Sequence, residues 1–335
     1  MSFDVHSENI NFKMIDVGGK RPTSRRAIAT GSIVMNQEAF DKIKEKKLNK
    51  GDALSLAEIS GVLGAKKTPD ILPMCHPLGL DQVLVSCALD DEKNSIVVYA
   101  QAATFSKTGV EMEALMAVNS ALLCIWDLTK STDPKMKIGD VRLLAKTGGK
   151  SGVWRHEEYI PEWLNEQLPS SKNLLGKESA VLVMSDRASK GVYQDESGKL
   201  LTNLLSQSGS NVKACEVIPD DVETIKANLK SIVEEQNPHI LFACGGTGPG
   251  PRDVTPVALE GVCSHMLNGL GEYLRRESGY FTDTAWLSRM TAGMLNSTLV
   301  IAFPGSPKAV KECFEMIEPF IGVAIDRIRK QGYES

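Results

Sequence analysis

The chain is predicted to fold as two domains of different class, an N-terminal α+β domain and a C-terminal three-layer α/β domain around a mostly parallel sheet. Three observations carry this. The 335 residues are long for one core, since domains commonly run to roughly 100–200 residues. Strands and helices are grouped up to about residue 157, whereas from 179 onward they alternate strictly. Between these halves the hydrophobic period is lost and Glu157, Glu158, Pro161, Glu162, Glu166, Pro169, Ser170 and Ser171 accumulate, as in a linker. The expected domains are therefore 1–157 and 179–335, joined by a linker over 158–178.

In the first half, a strand over 27–35 leads into helical patterns at 37–48 and 52–63. Alternating runs at 82–89 and 95–104 flank Asp90-Asp91-Glu92-Lys93-Asn94, which signals a hairpin. A long apolar helix over 111–130 and a strand over 137–144 complete an α+β sandwich of ferredoxin-like type. The second half reads as strand 180–184, helix 199–206, strand 212–218, helix 222–235 and strand 240–243. A further strand over 299–303 and a closing helix over 307–330, with Pro307 at its start, follow. Such alternation predicts a parallel sheet covered on both faces. No internal repeat is visible.

Apolar residues at 42% and charged residues at 24% are ordinary globular values, which argues against disordered and fibrous classes. No stretch reaches roughly 18 uninterrupted apolar residues, and the first twenty residues lack the basic-then-apolar order of a secretory signal. A cytoplasmic location with no membrane partner is expected. The seven cysteines, without CxxC spacing, read as reduced thiols in apolar segments. A formal charge of −4 leaves no nucleic-acid footprint. Residues 1–157 nevertheless carry 21 Lys and Arg against 19 Asp and Glu, and the remainder 17 against 23. In the first half, Lys50, Lys66, Lys67, Lys107, Lys130, Lys146 and Lys150 fall near turns or helix ends, a placement that suits a polyphosphate.

The sharper chemical signal is Gly245-Gly246-Thr247-Gly248-Pro249-Gly250-Pro251-Arg252-Asp253-Val254-Thr255-Pro256, directly after the apolar strand 240–243. A strand entering a glycine-rich turn presents backbone N–H groups to phosphate. In a parallel sheet, ligands gather at the carboxyl ends of strands, where Ser185-Asp186-Arg187, Pro219-Asp220-Asp221 and Pro304-Gly305-Ser306-Pro307-Lys308 are also expected. Asp220 and Asp253 could together hold Mg²⁺, which favours carboxylate and phosphate oxygens. A plain tight turn is the bland alternative, and the added Arg252, Asp253 and Thr255-Pro256 count against it. The run is neither a Walker A loop nor a dinucleotide fingerprint.

These residues resemble the molybdopterin adenylyltransferases over about 179–330. The likeness also rests on Gly191-Val192-Tyr193-Gln194-Asp195 and Leu287-Ser288-Arg289. It implies that the pterin's terminal phosphate attacks the α-phosphorus of ATP and that pyrophosphate leaves, with Mg²⁺ and ATP as cofactors. Asp220 and Asp253 match the family's two functional aspartates. Ser185, Asp186, Gly245, Gly246, Thr247, Gly248, Ser288, Arg289, Pro304, Gly305, Ser306 and Pro307 match its nucleotide and pterin loops. The alternative is a molybdopterin-binding or scaffold module without transferase activity.

In the first half, Asp127 and Lys130 stand three residues apart at the end of the apolar helix, a spacing that usually means a surface ion pair. Their company sharpens the reading. Met74-Cys75-His76-Pro77-Leu78 puts a polar pair in an apolar turn, Glu111 and Glu113 open the helix, and Lys146-Thr147-Gly148-Gly149-Lys150-Ser151-Gly152 adds cations on a flexible backbone. Zinc competes for Cys75 and His76, but adjacent residues rarely ligate one ion and no second Cys or His cluster lies nearby. A Cys and His nucleophilic pair is opposed by neighbours pointing apart in an extended turn. A structural His76 and a His beside a substrate phosphate or carbonyl both remain open.

This half resembles the cyclic pyranopterin monophosphate synthases over roughly 10–157. The match runs through Met14-Ile15-Asp16-Val17, Lys50-Gly51-Asp52, Met74 to Leu78, Lys107 to Leu115, Asp127-Leu128-Thr129-Lys130 and Ile138-Gly139-Asp140-Val141-Arg142-Leu143-Leu144, with small departures at Met74 and Asp140. The resemblance implies rearrangement of a cyclised dihydroguanosine triphosphate to cyclic pyranopterin monophosphate and pyrophosphate, with no cofactor. Asp127 and Lys130 match the catalytic pair. Lys50, His76, Lys146 and Lys150 would seat phosphates, with Arg25 ranked below them because Arg26 adjoins it; Met74, Cys75, Glu111, Met112 and Glu113 would contact substrate. A nucleotide-binding regulator is the rival. Both families form assemblies with threefold symmetry, which implies a homo-oligomer, a hexamer, with the N-terminal sites at subunit boundaries.

Overall fold

The computed structural model describes residues 12–149, 152–169, 172–189 and 195–331, and divides into two compact units, Met1–Pro169 and Ser170–Ser335. The division falls inside the segment expected as a linker, most of which belongs to one unit or the other. Its short apolar anchors explain this. Leu164 is buried against Ile28 and Leu144 on the back of the first sheet, and Leu174 is fully buried in the second unit's core.

The first unit comprises β1 (Thr23–Val34), α1 (Gln37–Lys44), α2 (Ala53–Lys66), α3 (Thr68–Ile71), β2 (Gln82–Asp90), β3 (Ser95–Ser106), α4 (Glu111–Thr129), β4 (Lys137–Thr147), β5 (Val153–Arg155) and α5 (Glu162–Gln167). The sheet is antiparallel, in the order β2-β3-β1-β4-β5. Alternate strand residues face α2 and α4: Ala27, Ala29 and Ile33 of β1 join Ile96, Val98, Ala100 and Ala102 of β3 in one core. Helix α4 meets that core with Ala114, Ala117, Val118, Ala121, Leu122 and Ile125, a helical stripe of mostly small side chains. Small residues also let α2 lie close, since a Cβ on Gly64 would stand 2.0 Å from Ser120 Oγ. By length and composition α4 could cross a membrane, yet here it is the central helix of the unit's core.

The second unit contains β6 (Glu178–Met184), α6 (Asp186–Ser189), α7 (Ser197–Gln207), β7 (Asn211–Ile218), α8 (Val222–Gln236), β8 (Ile240–Cys244), α9 (Thr255–Val262), β9 (His265–Met266), α10 (Asn268–Ser278), β10 (Ala292–Leu295), β11 (Thr298–Phe303) and α11 (Pro307–Gln331). Its sheet order is β7-β6-β8-β11-β10-β9; the first four strands are parallel, and β10 and β9 add antiparallel edges. Val181 and Val183 face one core with residues of α7, α10 and α11, while Ala180, Leu182 and Met184 face another with residues of α8 and α9. Burial on both faces explains the unbroken apolar runs of β6, β8 and β11. The sheet is thus mixed, because a two-residue turn with Asn296 at φ 53° folds β10 back onto β11.

Candidate functional site

Two groups of predicted residues in the first unit lie at opposite ends of α4. At its C-terminal end, Lys130 Nζ donates to Asp127 Oδ1 (2.7 Å) and Lys50 Nζ donates to Asp127 Oδ2 (3.1 Å) and to the Asp127 carbonyl (3.2 Å). Gly51, at φ 106°, turns the chain so that Lys50 reaches α4 before Asp52 caps α2 by accepting from the Leu54 and Ser55 N–H groups. The hydrogen bond from Lys130, then that from Lys50, holds the Asp127 carboxyl below its ordinary range. All three side chains are more than half exposed, so the cluster contributes orientation rather than stability.

At the N-terminal end, Met74, Cys75, His76, Glu111, Met112 and Glu113 line a cavity of about 330 Å³. His76 Nε2 pairs with the Ile15 carbonyl (2.8 Å), and Lys107 Nζ donates to the Gly18 carbonyl (2.6 Å), which ties the segment at 13–20 against this mouth. That segment brings Lys13 and Lys20 into the lining. Burial, reinforced by Glu111, raises the Glu113 carboxyl above its ordinary range. Burial and the charge of Glu113 push the Cys75 thiol up, which disfavours the thiolate a nucleophile needs. Lys146 pairs with Glu111 (2.9 Å). Arg25 is half-buried: burial lowers its pKa and Glu111 opposes that shift. Gly148 and Gly149, both at positive φ, make room for it, since a Cβ on Gly149 would overlap the guanidinium. Arg26 instead faces the opposite side of the sheet beside Tyr99 and Gln101, so geometry separates two arginines that sequence could not. Lys150 lies outside the described residues.

Asp127 and Glu111 are sixteen residues apart on one helix, or ~24 Å at 1.5 Å per residue. One copy of the chain does not bring the Lys50, Asp127 and Lys130 group to His76. Sequence reasoning passed over Lys13 and Lys20, whose only signal was their place beside the quoted Met14 to Val17 run.

In the second unit the predicted loops do meet at the carboxyl ends of the parallel strands. Asp186 N–H donates to Asp220 Oδ2 (3.0 Å) while Asp220 N–H donates to Asp186 Oδ1 (3.2 Å), a reciprocal clasp between the loops after β6 and β7. Arg252, from the glycine-rich turn, pairs with the other oxygen of Asp186. Gly245 sits at φ 107° where a Cβ would stand 2.4 Å from the Met184 carbonyl, and its N–H donates to Phe303 O (3.0 Å). Gly246 and Gly248 leave space for carboxylates, since Cβ atoms there would meet Asp220 Oδ1 at 3.2 Å and Asp253 Oδ2 at 2.6 Å. Asp253 Oδ2 accepts from Gly250 N–H (2.9 Å).

Burial first, and then the charge of Asp253, raises the Asp220 carboxyl above its ordinary range. Asp220 and Asp253 thus lie close enough for the charge of one to act on the other. No group of three or more His, Cys, Asp and Glu side chains gathers as a metal cluster among the described residues. A Mg²⁺ ion here would rest on Asp220 and Asp253 and fill its shell with ligand oxygens and water. Arg289 is a brace: Nε donates to Gly248 O (3.0 Å), the guanidinium also reaches Asp253 O, and its N–H donates to Thr247 O (2.7 Å). The Ser288 hydroxyl accepts from Met290 N–H (3.4 Å). Gly305 passes 3.3 Å from the Gly245 Cα, as measured from an added Cβ, and its carbonyl accepts from Ser197 Oγ (2.6 Å); Ser306 Oγ accepts from Ala309 N–H as Pro307 starts α11. Ser185 N–H donates to Ile218 O (2.9 Å). Gly191, Val192, Tyr193 and Gln194 of the quoted likeness lie outside the described residues.

The family model described as the MoaC family matches residues 14–149, and that described as a probable molybdopterin binding domain matches 180–322. A molybdenum cofactor biosynthesis bifunctional protein of Synechococcus elongatus is 39% identical over 308 residues, covering 92% of this chain and 95% of that protein. Its counterpart from Chlorobaculum tepidum is 37% identical and covers 99% and 100%. A cyclic pyranopterin monophosphate synthase of Rhodospirillum rubrum is 46% identical over 144 residues, covering 43% of this chain and 87% of that protein.

Proposed function

Because the chain belongs to the bifunctional molybdenum cofactor biosynthesis proteins, we propose that its two units catalyse two separate steps of that synthesis. The N-terminal unit converts cyclised dihydroguanosine triphosphate to cyclic pyranopterin monophosphate and pyrophosphate. Its strand order β2-β3-β1-β4, with the helices inserted after β1 and β3, supports the ferredoxin-like reading. The observation that carries the activity is Asp127 holding two ammonium groups side by side. Asp127 fixes Lys130 Nζ, which then moves a proton at the sugar or purine, while Lys50, Lys146, Arg25 and His76 receive phosphate charge. Lys13 and Lys20 add to that seat. Formation of the pyranopterin from the cyclised triphosphate by the purified chain is the test, and nucleotide binding without product would leave a regulator.

Since the two halves of this site are ~24 Å apart in one copy, the working site joins the Asp127 end of one subunit to the His76 end of another. Exposed Leu56, Ile59 and Leu63 on α2 and Leu123 on α4 offer an apolar face for such a neighbour. We assign a homo-oligomer with threefold symmetry, a hexamer, and light scattering that gives a monomer would exclude it.

The C-terminal unit transfers the adenylyl group of ATP to molybdopterin. The carrying observation is the Asp220 and Asp253 pair against the glycine-rich turn. Mg²⁺ held there would supply charge neutralisation between two repelling phosphates. The chain's own part is alignment: N–H groups of the turn receive phosphate oxygens, Arg289 fixes the turn, and the clasp between Asp186 and Asp220 fixes the carboxylate. A module that only bound the pterin phosphate would gain nothing from two carboxylates beside it. Magnesium-dependent release of pyrophosphate from ATP and molybdopterin tests the assignment.

A further inference from the structure

Asp186 is already oriented without Arg252. Its Oδ1 accepts from Asp220 N–H, and its own N–H is taken by Asp220 Oδ2. Arg252 adds charge to a carboxylate whose geometry is set by backbone. The pair is also lopsided, since the Arg252 side chain is 76% exposed and that of Asp186 only 23%. An ion pair so open to water is cheap to break. Arg289, by contrast, is bound to carbonyls of the turn it braces. Arg252 adjoins Asp253, at the mouth where the glycine-rich turn meets the loops after β6 and β7.

We infer that Arg252 is a displaceable counter-ion, resting on Asp186 in the free protein and moving to the polyphosphate oxygens when nucleotide binds. The inference rests on the adenylyl-transfer reading of this unit and adds a residue to it. Three features make the exchange favourable. A polyphosphate carries more charge than one carboxylate, and the planar guanidinium can contact two of its oxygens at once. Asp186 keeps its backbone partner when Arg252 leaves. In the transfer, a pterin phosphate oxygen bonds to the α-phosphorus, the bond from that phosphorus to the bridging oxygen breaks, and the electron pair departs with pyrophosphate. Arg252 meets that developing charge. It returns to Asp186 as pyrophosphate dissociates, which restores the charge pairing of that carboxylate.

The test is calorimetric binding of inorganic pyrophosphate, and separately of ATP, to the full-length chain with magnesium present. Arg252→Ala should weaken pyrophosphate binding about tenfold or more, the usual loss for a charge-assisted contact, and Arg252→Lys by less. Asp186→Asn keeps the oxygen that accepts from Asp220 N–H and removes the competing charge, so it should tighten pyrophosphate binding several-fold (roughly 3-fold or more). In the double variant that gain should vanish. Unchanged binding by Arg252→Ala, or weakening by Asp186→Asn equal to that of Arg252→Ala with unaltered thermal unfolding, overturns the exchange and leaves a static clamp. A wild-type chain that binds neither pyrophosphate nor ATP overturns the nucleotide reading itself, and Arg252 with it.

Discussion

In the C-terminal unit the candidate site is held by backbone: the N–H groups of Asp186 and Asp220 clasp each other's carboxylates, and glycines let the turn press against Met184. In the N-terminal unit, Lys50, Asp127 and Lys130 stand in solvent on side-chain ion pairs, and the His76 cavity lies at the other end of α4. The first arrangement brings its described loops together within one chain and is preorganised by folding. The second places its two groups at opposite ends of α4, with Glu111 and Asp127 ~24 Å apart along the helix. On the proposed reading, the C-terminal site would depend on its own fold and the N-terminal site on assembly.

The sharpest way to separate the two is to disable one. Lys130→Ala should reduce pyranopterin formation by a factor of about 10³ or more, since it removes the group assigned to proton transfer, and should leave adenylyl transfer at its wild-type rate. Retained turnover in this variant would remove Lys130 from the chemistry. The reverse experiment has a slightly smaller expected effect. Asp253→Asn should lower adenylyl transfer by about 10² or more while pyranopterin formation and thermal unfolding stay unchanged. A full-rate variant would dismiss Asp253 as a participant.

Assembly itself can be tested by complementation. Mixed and reassembled Lys130→Ala and His76→Ala chains should recover about a quarter of wild-type pyranopterin formation, because one site in four pairs an intact Lys130 end with an intact His76 end. Sites contained in single chains would recover nothing. The same treatment of two C-terminal variants, Asp220→Asn with Asp253→Asn, should give no recovery. Rescue there would erase the distinction between the units.

Much of this was legible in the sequence because the informative residues lie on regular elements. The helical period over 111–130 predicted α4, and the spacing of Asp127 and Lys130 placed them on one face. The four loops after parallel strands followed from the alternation of elements. Other features depend on encounters that no local pattern records. The engagement of Asp186 needs three loops to meet, and Arg25 is distinguished from Arg26 only by which side of β1 each faces. Lys13 and Lys20 stand in a segment without period. The strand β9 has only two residues, and α10 opens with Asn268, Gly269 and Gly271, residues that disfavour a helix interior. The division between the units falls within 158–178, the segment expected as a linker, where Leu164 and Leu174 are each buried in their own unit.

The smallest predicted effect concerns a buried carboxyl at the His76 end of α4. Glu113 is buried at the first turn of α4, and its carboxyl is raised first by burial and further by Glu111. A raised folded-state pKa means that the folded chain holds this proton more tightly than the unfolded chain. The associated stability is present below the ordinary value of 4.5 and is lost as pH rises through the folded value. Glu113→Gln imitates the protonated form. It should therefore match the wild-type melting temperature near pH 4 and exceed it by a few degrees at pH 7–8, where ~1 kcal/mol corresponds to ~2–4 °C. A difference in melting temperature that does not vary with pH would show that burial and Glu111 do not raise the Glu113 carboxyl.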